Sequence, residues 1–209
     1  LDDFFKENIF KPLNMIDTDF YVPEEKHHRF VDCYQELVSK SGNKLKRCYK
    51  GGEDIYSKKR NFLSGGGGLC STLADYANFC QMILNEGYFD GKQLLSPMTV
   101  RFMRENHLPN NQTMSEMGDD NFSEVRYDGA GFGLGFSSLV DPIKSMSPLS
   151  TGSISWGGMA STFFWIDPKE NLFSILLTQL IPSGRYPIRP QAQTLVYSAL
   201  SELNKNTRL

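Results

Sequence analysis

The run Ser155-Trp156-Gly157-Gly158-Met159-Ala160-Ser161-Thr162-Phe163-Phe164-Trp165-Ile166-Asp167-Pro168 concentrates the chemistry this chain can offer. Gly157, Gly158 and Ala160 leave the backbone bare within a stretch that is otherwise β-branched and aromatic, and Trp156 sets an apolar wall beside it. Glycine weakens a strand, so its use here implies a bulge, a bend, or the close approach of a ligand or another backbone. A bare strand edge next to an aromatic wall can dock a substrate carbonyl. The same residues equally describe a bulged hairpin with a buried tryptophan.

Other reactive residue types form weaker patterns. Ser41-Gly42-Asn43-Lys44 matches S-x-x-K as a string, but it falls in a glycine-containing basic stretch, and no G-x-S-x-G occurs. His27 and His28 are adjacent, so their side chains diverge in any regular element, and His107 stands alone; no metal-ligand spacing is present. Gly65-Gly66-Gly67-Gly68 is not a phosphate loop, because no Lys-Ser/Thr follows and no G-x-G-x-x-G register fits. Cys33, Cys48, Cys70 and Cys80 show no C-x-x-C spacing, which argues against structural zinc and a disulfide framework. No metal and no cofactor are expected.

The elements that must position these residues can be read in order. Residues 1–10 have the pattern of an amphipathic helix that starts without a cap, as if the chain begins inside an element; a fragment or processed product of something longer is the expectation. Residues 40–60, with eight basic and two acidic side chains, read as a solvated surface loop. Thr72 and Asp75 have capping-box spacing at the start of a helix carrying Leu73, Tyr76, Ala77, Cys80, Ile83 and Leu84 on one face; Gly87 stops it. Asp90-Gly91 marks a tight turn, and Ser96-Pro97 opens a further helix.

Residues 110–128 form an acidic polar loop containing two glycosylation-acceptor sequences, Asn111-Gln112-Thr113 and Asn121-Phe122-Ser123, which matter only in a secreted protein. Gly131-Phe132-Gly133-Leu134-Gly135-Phe136 suits a strand packed closely on a neighbour. Leu172–Gln179 reads as a strand apolar on both faces, and Ala192, Leu195, Val196, Ala199, Leu200 and Leu203 mark a closing helix begun near Pro190. Helices, then three or four strands, then one helix make an α+β pattern, an antiparallel sheet covered by helices.

The 209 residues suit one domain or a large part of one. The balance of 22 basic and 24 acidic residues argues against a nucleic-acid partner, and no apolar run approaches a membrane span.

Four stretches, in order along the chain, carry a resemblance. They are Ile9–Phe20 (IFKPLNMIDTDF), Gly66–Asp75 (GGGLCSTLAD), Gly131–Phe136 (GFGLGF) and Ser155–Pro168. Together they resemble the serine β-lactamase and penicillin-binding-protein family, in the branch of class C β-lactamases and their esterase relatives. The resemblance implies a β-lactamase/transpeptidase-like antiparallel sheet flanked by helices, with the first strands and the nucleophile helix missing. Residues 1–209 would be the C-terminal portion of one domain, with 1–130 mostly helix and loop and 131–209 the sheet strands and closing helix.

It further implies an acyl-enzyme mechanism on an ester or amide substrate. Trp156, Gly157 and Gly158 stand where the family has Lys-Thr-Gly on an edge strand, an esterase-like departure that removes the cation and hydroxyl used to bind a β-lactam carboxylate. Met159 follows, at the position whose backbone N–H serves the oxyanion hole. The family's S-x-x-K serine and its tyrosine precede the Ile9–Phe20 segment, so the Ser41–Lys44 string is in the wrong place and this chain alone is expected to be inactive. Alternatives are an acyltransferase using the same intermediate and a non-catalytic relative used for binding or assembly. Without the upstream strands, the 172–179 strand would keep an unpaired edge open to self-association.

Overall fold

The computed structural model describes residues 1–37, 42, 44–51, 55–117 and 127–204. Its elements in chain order are helix α1 (Asp2–Phe5), continued by a wider π turn at Lys6–Phe10; strands β1 (Cys33–Leu37) and β2 (Lys44–Tyr49); helix α2 (Leu73–Leu84); strands β3 (Tyr88–Phe89) and β4 (Lys92–Gln93); helices α3 (Pro97–Arg104) and α4 (Met114–Met117); strands β5 (Ala130–Phe132) and β6 (Ser137–Leu139); helix α5 (Pro142–Ser145); strands β7 (Ile154–Gly157), β8 (Phe163–Asp167), β9 (Leu172–Leu176) and β10 (Leu180–Ile181); and helix α6 (Ile188–Ser198). Among the described residues, β5-β6-β7-β8-β9 form an antiparallel sheet in sequence order, so β9 lies at one end with a single strand partner. The fold is α+β, and no helix among the described residues is long and apolar enough to cross a membrane.

Strand alternation divides the sheet into two apolar faces. Ile154, Phe164 and Ile166 point one way and pack with Phe10, Leu13, Cys80, Ile83 and Val100 from α2, α3 and the N-terminal segment. Trp165 points the other way, against Leu139, Leu149 and, from α6, Ala192, Val196 and Tyr197. The sheet therefore sits between two helical layers.

Two distant sequence segments meet over Asp75, in the first turn of α2. Its carboxylate accepts from the Asp17 N–H and from Thr18 Oγ1, each at 2.7 Å, while Thr18 Oγ1 and Ser71 Oγ share a 2.8 Å hydrogen bond. A carboxylate is favoured there by the helix dipole, and Thr72 Oγ1 caps the helix by accepting from the Asp75 N–H. Asn14 has φ +53°, a left-handed backbone that asparagine tolerates better than most residues.

Asp17 is held in turn by Lys26 and Arg29, and the Lys26 hydrogen bond is the largest cause of a carboxyl pKa below its ordinary 3.8. A depressed folded pKa contributes stability that is complete above the unfolded value and is lost as pH falls through the folded one. Asp17→Asn is therefore expected to be less stable than wild type near neutral pH. The two unfolding midpoints should converge as pH drops from about 7 to below about 3, which denaturant titrations across that range would check.

Several local expectations hold in detail. Ser96 accepts from the Thr99 N–H to cap α3, with Pro97 at its first position. Asp90 (φ +43°) and Gly91 (φ +78°) make the turn joining β3 to β4, and Gly87 ends α2 at φ +90°, where a Cβ would lie 2.1 Å from the Leu95 carbonyl oxygen.

Others are corrected. Residues 44–49 are not loop: they form β2, paired antiparallel with β1, which also pairs in parallel with β10. Most of the β2 side chains are exposed, so backbone pairing rather than an apolar face makes the strand. The Gly131–Phe136 stretch is not one strand. Gly131 and Phe132 end β5, Gly133 begins a turn, and the chain returns as β6. Asn106 and Met103 press on Gly131 and Gly133, so these glycines serve packing. In the two helices, Leu73 and Leu195 point outward, 54% and 71% exposed. The acidic stretch's Asp119, Asp120, Glu124 and Arg126, the Asn121 acceptor, Ser41 and Asn43 all lie outside the described residues.

Candidate active-site edge at strand β7

Strands β7 and β8 meet as expected, through a five-residue connection at 158–162. β7 is not an edge strand along its length; it is the third of the five. Its ladder with β6 nevertheless pairs only Ile154 with Ser138 and Ser155 with Ser137, because β6 is just three residues long. Its ladder with β8 continues through Trp156 and Gly157. The strand thus passes from the interior to an edge at the Trp156-Gly157 step.

The direction of its polar groups follows from the pleat. Gly158 donates its N–H to the Thr162 carbonyl at 2.9 Å, on the β8 side. Alternation then turns the Gly157 N–H and C=O to the opposite side, beyond the end of β6. Met159 follows in the turn, 58% exposed, and its N–H has no protein acceptor among the described residues.

The turn itself is anchored from outside the sheet. The Ala160 carbonyl accepts from the Leu180 N–H at 3.0 Å and from Thr178 Oγ1 at 3.2 Å, and Ser161 Oγ donates to the Leu180 carbonyl at 2.7 Å. Residues 178–180 thereby tie the turn to β10, and through β10 to β1.

Trp156 lies on the face toward α2. Tyr127 stacks on it with centroids 5.5 Å apart and planes 12° apart, and Phe132 meets it edge-on at 5.1 Å. Trp156 is therefore one ring of a three-ring cluster, in which Phe132 comes from the Gly131–Phe136 stretch and Tyr127 carried no sequence signal.

The opposite face explains Gly157. A Cβ there would lie 2.6 Å from Nη2 and 2.7 Å from Cζ of Arg189, in the first turn of α6. The close approach that this glycine permits is that of a side chain of the protein itself. For Gly158, a Cβ would meet Thr162 Oγ1 at 2.4 Å. Trp156, Gly157, Gly158 and Met159 are consecutive at the end of β7 and in the turn after it, and no sequence signal pointed to Arg189 as the side chain lying against Gly157.

Other nucleophile candidates are removed by their surroundings. Burial pushes the Cys80 thiol up to about 12, so it stays protonated in the core near neutral pH. His107 Nε2 contacts the Phe102 carbonyl at 2.7 Å and its ring stands edge-on to Phe102, a local helix-end contact. Lys44 is exposed at the start of β2. Among the described residues no cluster of His, Cys, Asp or Glu could hold a metal ion.

An antiparallel sheet between two helical layers, with a glycine-rich step opening one strand to an edge, defines the class. The family model "Beta-lactamase" matches residues 1–197, and the chain belongs to that family. Protein Rv1367c of Mycobacterium tuberculosis is 33% identical over 179 residues, which cover 84% of this chain and 42% of Rv1367c. The chain thus spans less than half the length of the curated relatives it matches.

Among solved structures, EstCE1, described as a hydrolase with promiscuous acyltransferase activity, is similar at TM-score 0.71 and 21% identity, over 94% of this chain and 50% of that protein. Unliganded selenomethionyl simvastatin synthase (LovD) from Aspergillus terreus is similar at TM-score 0.72 and 21% identity, over 97% of this chain and 50% of its own. Both share the fold.

Proposed function

We propose that this chain forms one side of the active site of a serine hydrolase or acyltransferase that acts on esters or amides through an acyl-enzyme. The nucleophile comes from a segment outside these residues. The observation that carries the reading is the Met159 N–H: it lies in a tethered turn past the end of the β6 ladder and has no acceptor among the described residues. Such an N–H suits the oxygen of a tetrahedral intermediate, where loss of one donor costs on the order of 3 kcal/mol of barrier in other hydrolases.

Trp156, backed by Tyr127, supplies an apolar side for the acyl or alkoxy group. Gly157 leaves its backbone open for a substrate to pair along the strand edge. Neither residue offers the cation and hydroxyl that would hold a β-lactam carboxylate, which favours uncharged esters. EstCE1, a hydrolase with promiscuous acyltransferase activity, supports the hydrolase or acyltransferase reading.

The expected result is that the 209-residue chain alone releases no p-nitrophenol from p-nitrophenyl butyrate above background, whereas the product of the whole reading frame does. Turnover by the chain alone would overturn the assignment of the nucleophile to another segment. A well-folded whole product that neither hydrolyses the ester nor transfers its acyl group to an added alcohol would overturn the enzymatic reading and favour a binding role.

A further inference from the structure

We propose that Arg189 is a positioning residue for the Met159 amide. Seated on the bare α-carbon of Gly157, its guanidinium holds the Gly158 carbonyl, and so aims the N–H on the other side of the same peptide bond. This rests on the reading of that N–H as an oxyanion donor.

The peptide unit is planar. In a trans peptide the C=O and the following N–H point in opposite directions, so whatever fixes the Gly158 carbonyl fixes the Met159 N–H. Arg189 Nη2 donates to the Gly158 carbonyl at 2.9 Å, and the Ser161 N–H donates to the same oxygen at 3.0 Å. Nη2 also reaches the Thr162 carbonyl at 3.1 Å, and that carbonyl receives the Gly158 N–H. One guanidinium thus clamps both ends of the turn that presents Met159.

Its own freedom is small. Arg189 is 8% exposed, and its guanidinium carbon lies over the Phe163 ring at 5.2 Å. It lies on the α6 side of the strand, opposite the Trp156 wall, so it acts through the peptide and not on the substrate.

Two consequences follow for the donor. A charge-assisted hydrogen bond is stronger than a neutral one. A hydrogen bond accepted by a carbonyl also polarises its own amide, strengthening the N–H by about 10–30%. Arg189 therefore aims the Met159 N–H and makes it a better donor. Gly157 is part of the same device, because any Cβ at that position collides with the guanidinium.

The test has two readouts. In the 209-residue chain labelled with 15N-methionine, Arg189→Met should shift the Met159 amide resonance, since an amide nitrogen responds to the hydrogen bond on the preceding carbonyl. Resonances of distant methionines such as Met15 and Met82 should stay in place. In the product of the whole reading frame, Arg189→Met should lower kcat on p-nitrophenyl butyrate on the order of 100-fold, with KM within about twofold, the scale on which misplaced groups slow catalysis. Arg189→Lys should recover part of the loss.

Gly157→Ala keeps the arginine but removes its seat. It should show a comparable loss, and the double variant should be no worse than either single one, as expected for residues acting as a unit. If Arg189→Met does not fold, Gly157→Ala decides by the same two readouts. An inactive wild-type whole product sinks the enzymatic reading whatever the spectrum shows. An active wild type whose variant keeps more than about a third of kcat, with the Met159 resonance unmoved, sinks the role of Arg189 and leaves the enzymatic reading standing.

Discussion

Replacing Trp165 with alanine is expected to cost about 3–5 kcal/mol of folding free energy, the range found for buried tryptophan and phenylalanine truncations. Trp165 has no solvent exposure. It fills the layer between the sheet and α6, where Leu139 and Leu149 border it from the sheet side and Ala192, Val196 and Tyr197 from the helix. Truncation removes a large apolar area from this small second core and leaves a cavity. Because α6 is the element that packs there, much of the hold on that helix goes with it. Denaturant unfolding followed by circular dichroism would measure the loss, and Trp165→Phe, which keeps most of the volume, should lose distinctly less. A truncation costing under about 1 kcal/mol would mean that this layer does not hold α6.

Removing the Asp167 carboxylate is expected to cost about 2–4 kcal/mol, because it strands buried donors rather than merely deleting bonds. Asp167 is fully buried at the end of β8. One of its oxygens accepts from the Lys169 and Glu170 N–H groups at 3.1 and 3.2 Å, closing the turn into β9. The other accepts from the Ser150 N–H at 3.0 Å and from the Tyr197 hydroxyl at 2.7 Å, tying that turn to the loop before β7 and to α6. Burial, followed by the bond to Asp167, raises the Tyr197 hydroxyl pKa well above its ordinary value, so the tyrosine remains protonated and a donor near neutral pH. Asp167→Ala should lower the denaturation midpoint strongly. Asp167→Asn, which keeps one acceptor of the same shape, should fall between it and wild type.

Both residues sit in a segment whose strands were visible from its amino acids, yet neither role was. Asp167-Pro168 reads as a turn because aspartate accepts bonds from the backbone just ahead of it. The parts of the fold legible in the sequence were of this local kind: Thr72 and Asp75 at a helix start, Ser96-Pro97 at another, Asp90-Gly91 between short strands. Each is decided within four residues, by a cap or a positive φ. The antiparallel sheet of the second half was legible too, although it has five strands where three or four were expected, because the Gly131–Phe136 stretch holds a turn between two of them.

Strand β2 was not legible. Lys44, Lys46 and Arg47 look like solvated loop, and the strand exists because β1 offers it a ladder. The outward register of Leu195 escaped for a related reason: periodicity gives a helix an apolar stripe, but which part of the stripe meets the sheet depends on how the helix docks.

The candidate site divides along the same line. From residue types alone, Trp156, Gly157, Gly158 and Met159 mark a bare, aromatic-walled backbone, and their order among four matching stretches marks the family. Only the folded chain decided that β7 is interior at Ser155 and an edge one residue later, and that Arg189, 31 residues beyond Gly158, lies beneath the glycine step. A side chain's own geometry acts over a few neighbours and is written in the local sequence. Where a strand ends against its neighbour, and which distant cation reaches a carbonyl, are set by how whole elements pack, and no spacing along the chain encodes that distance.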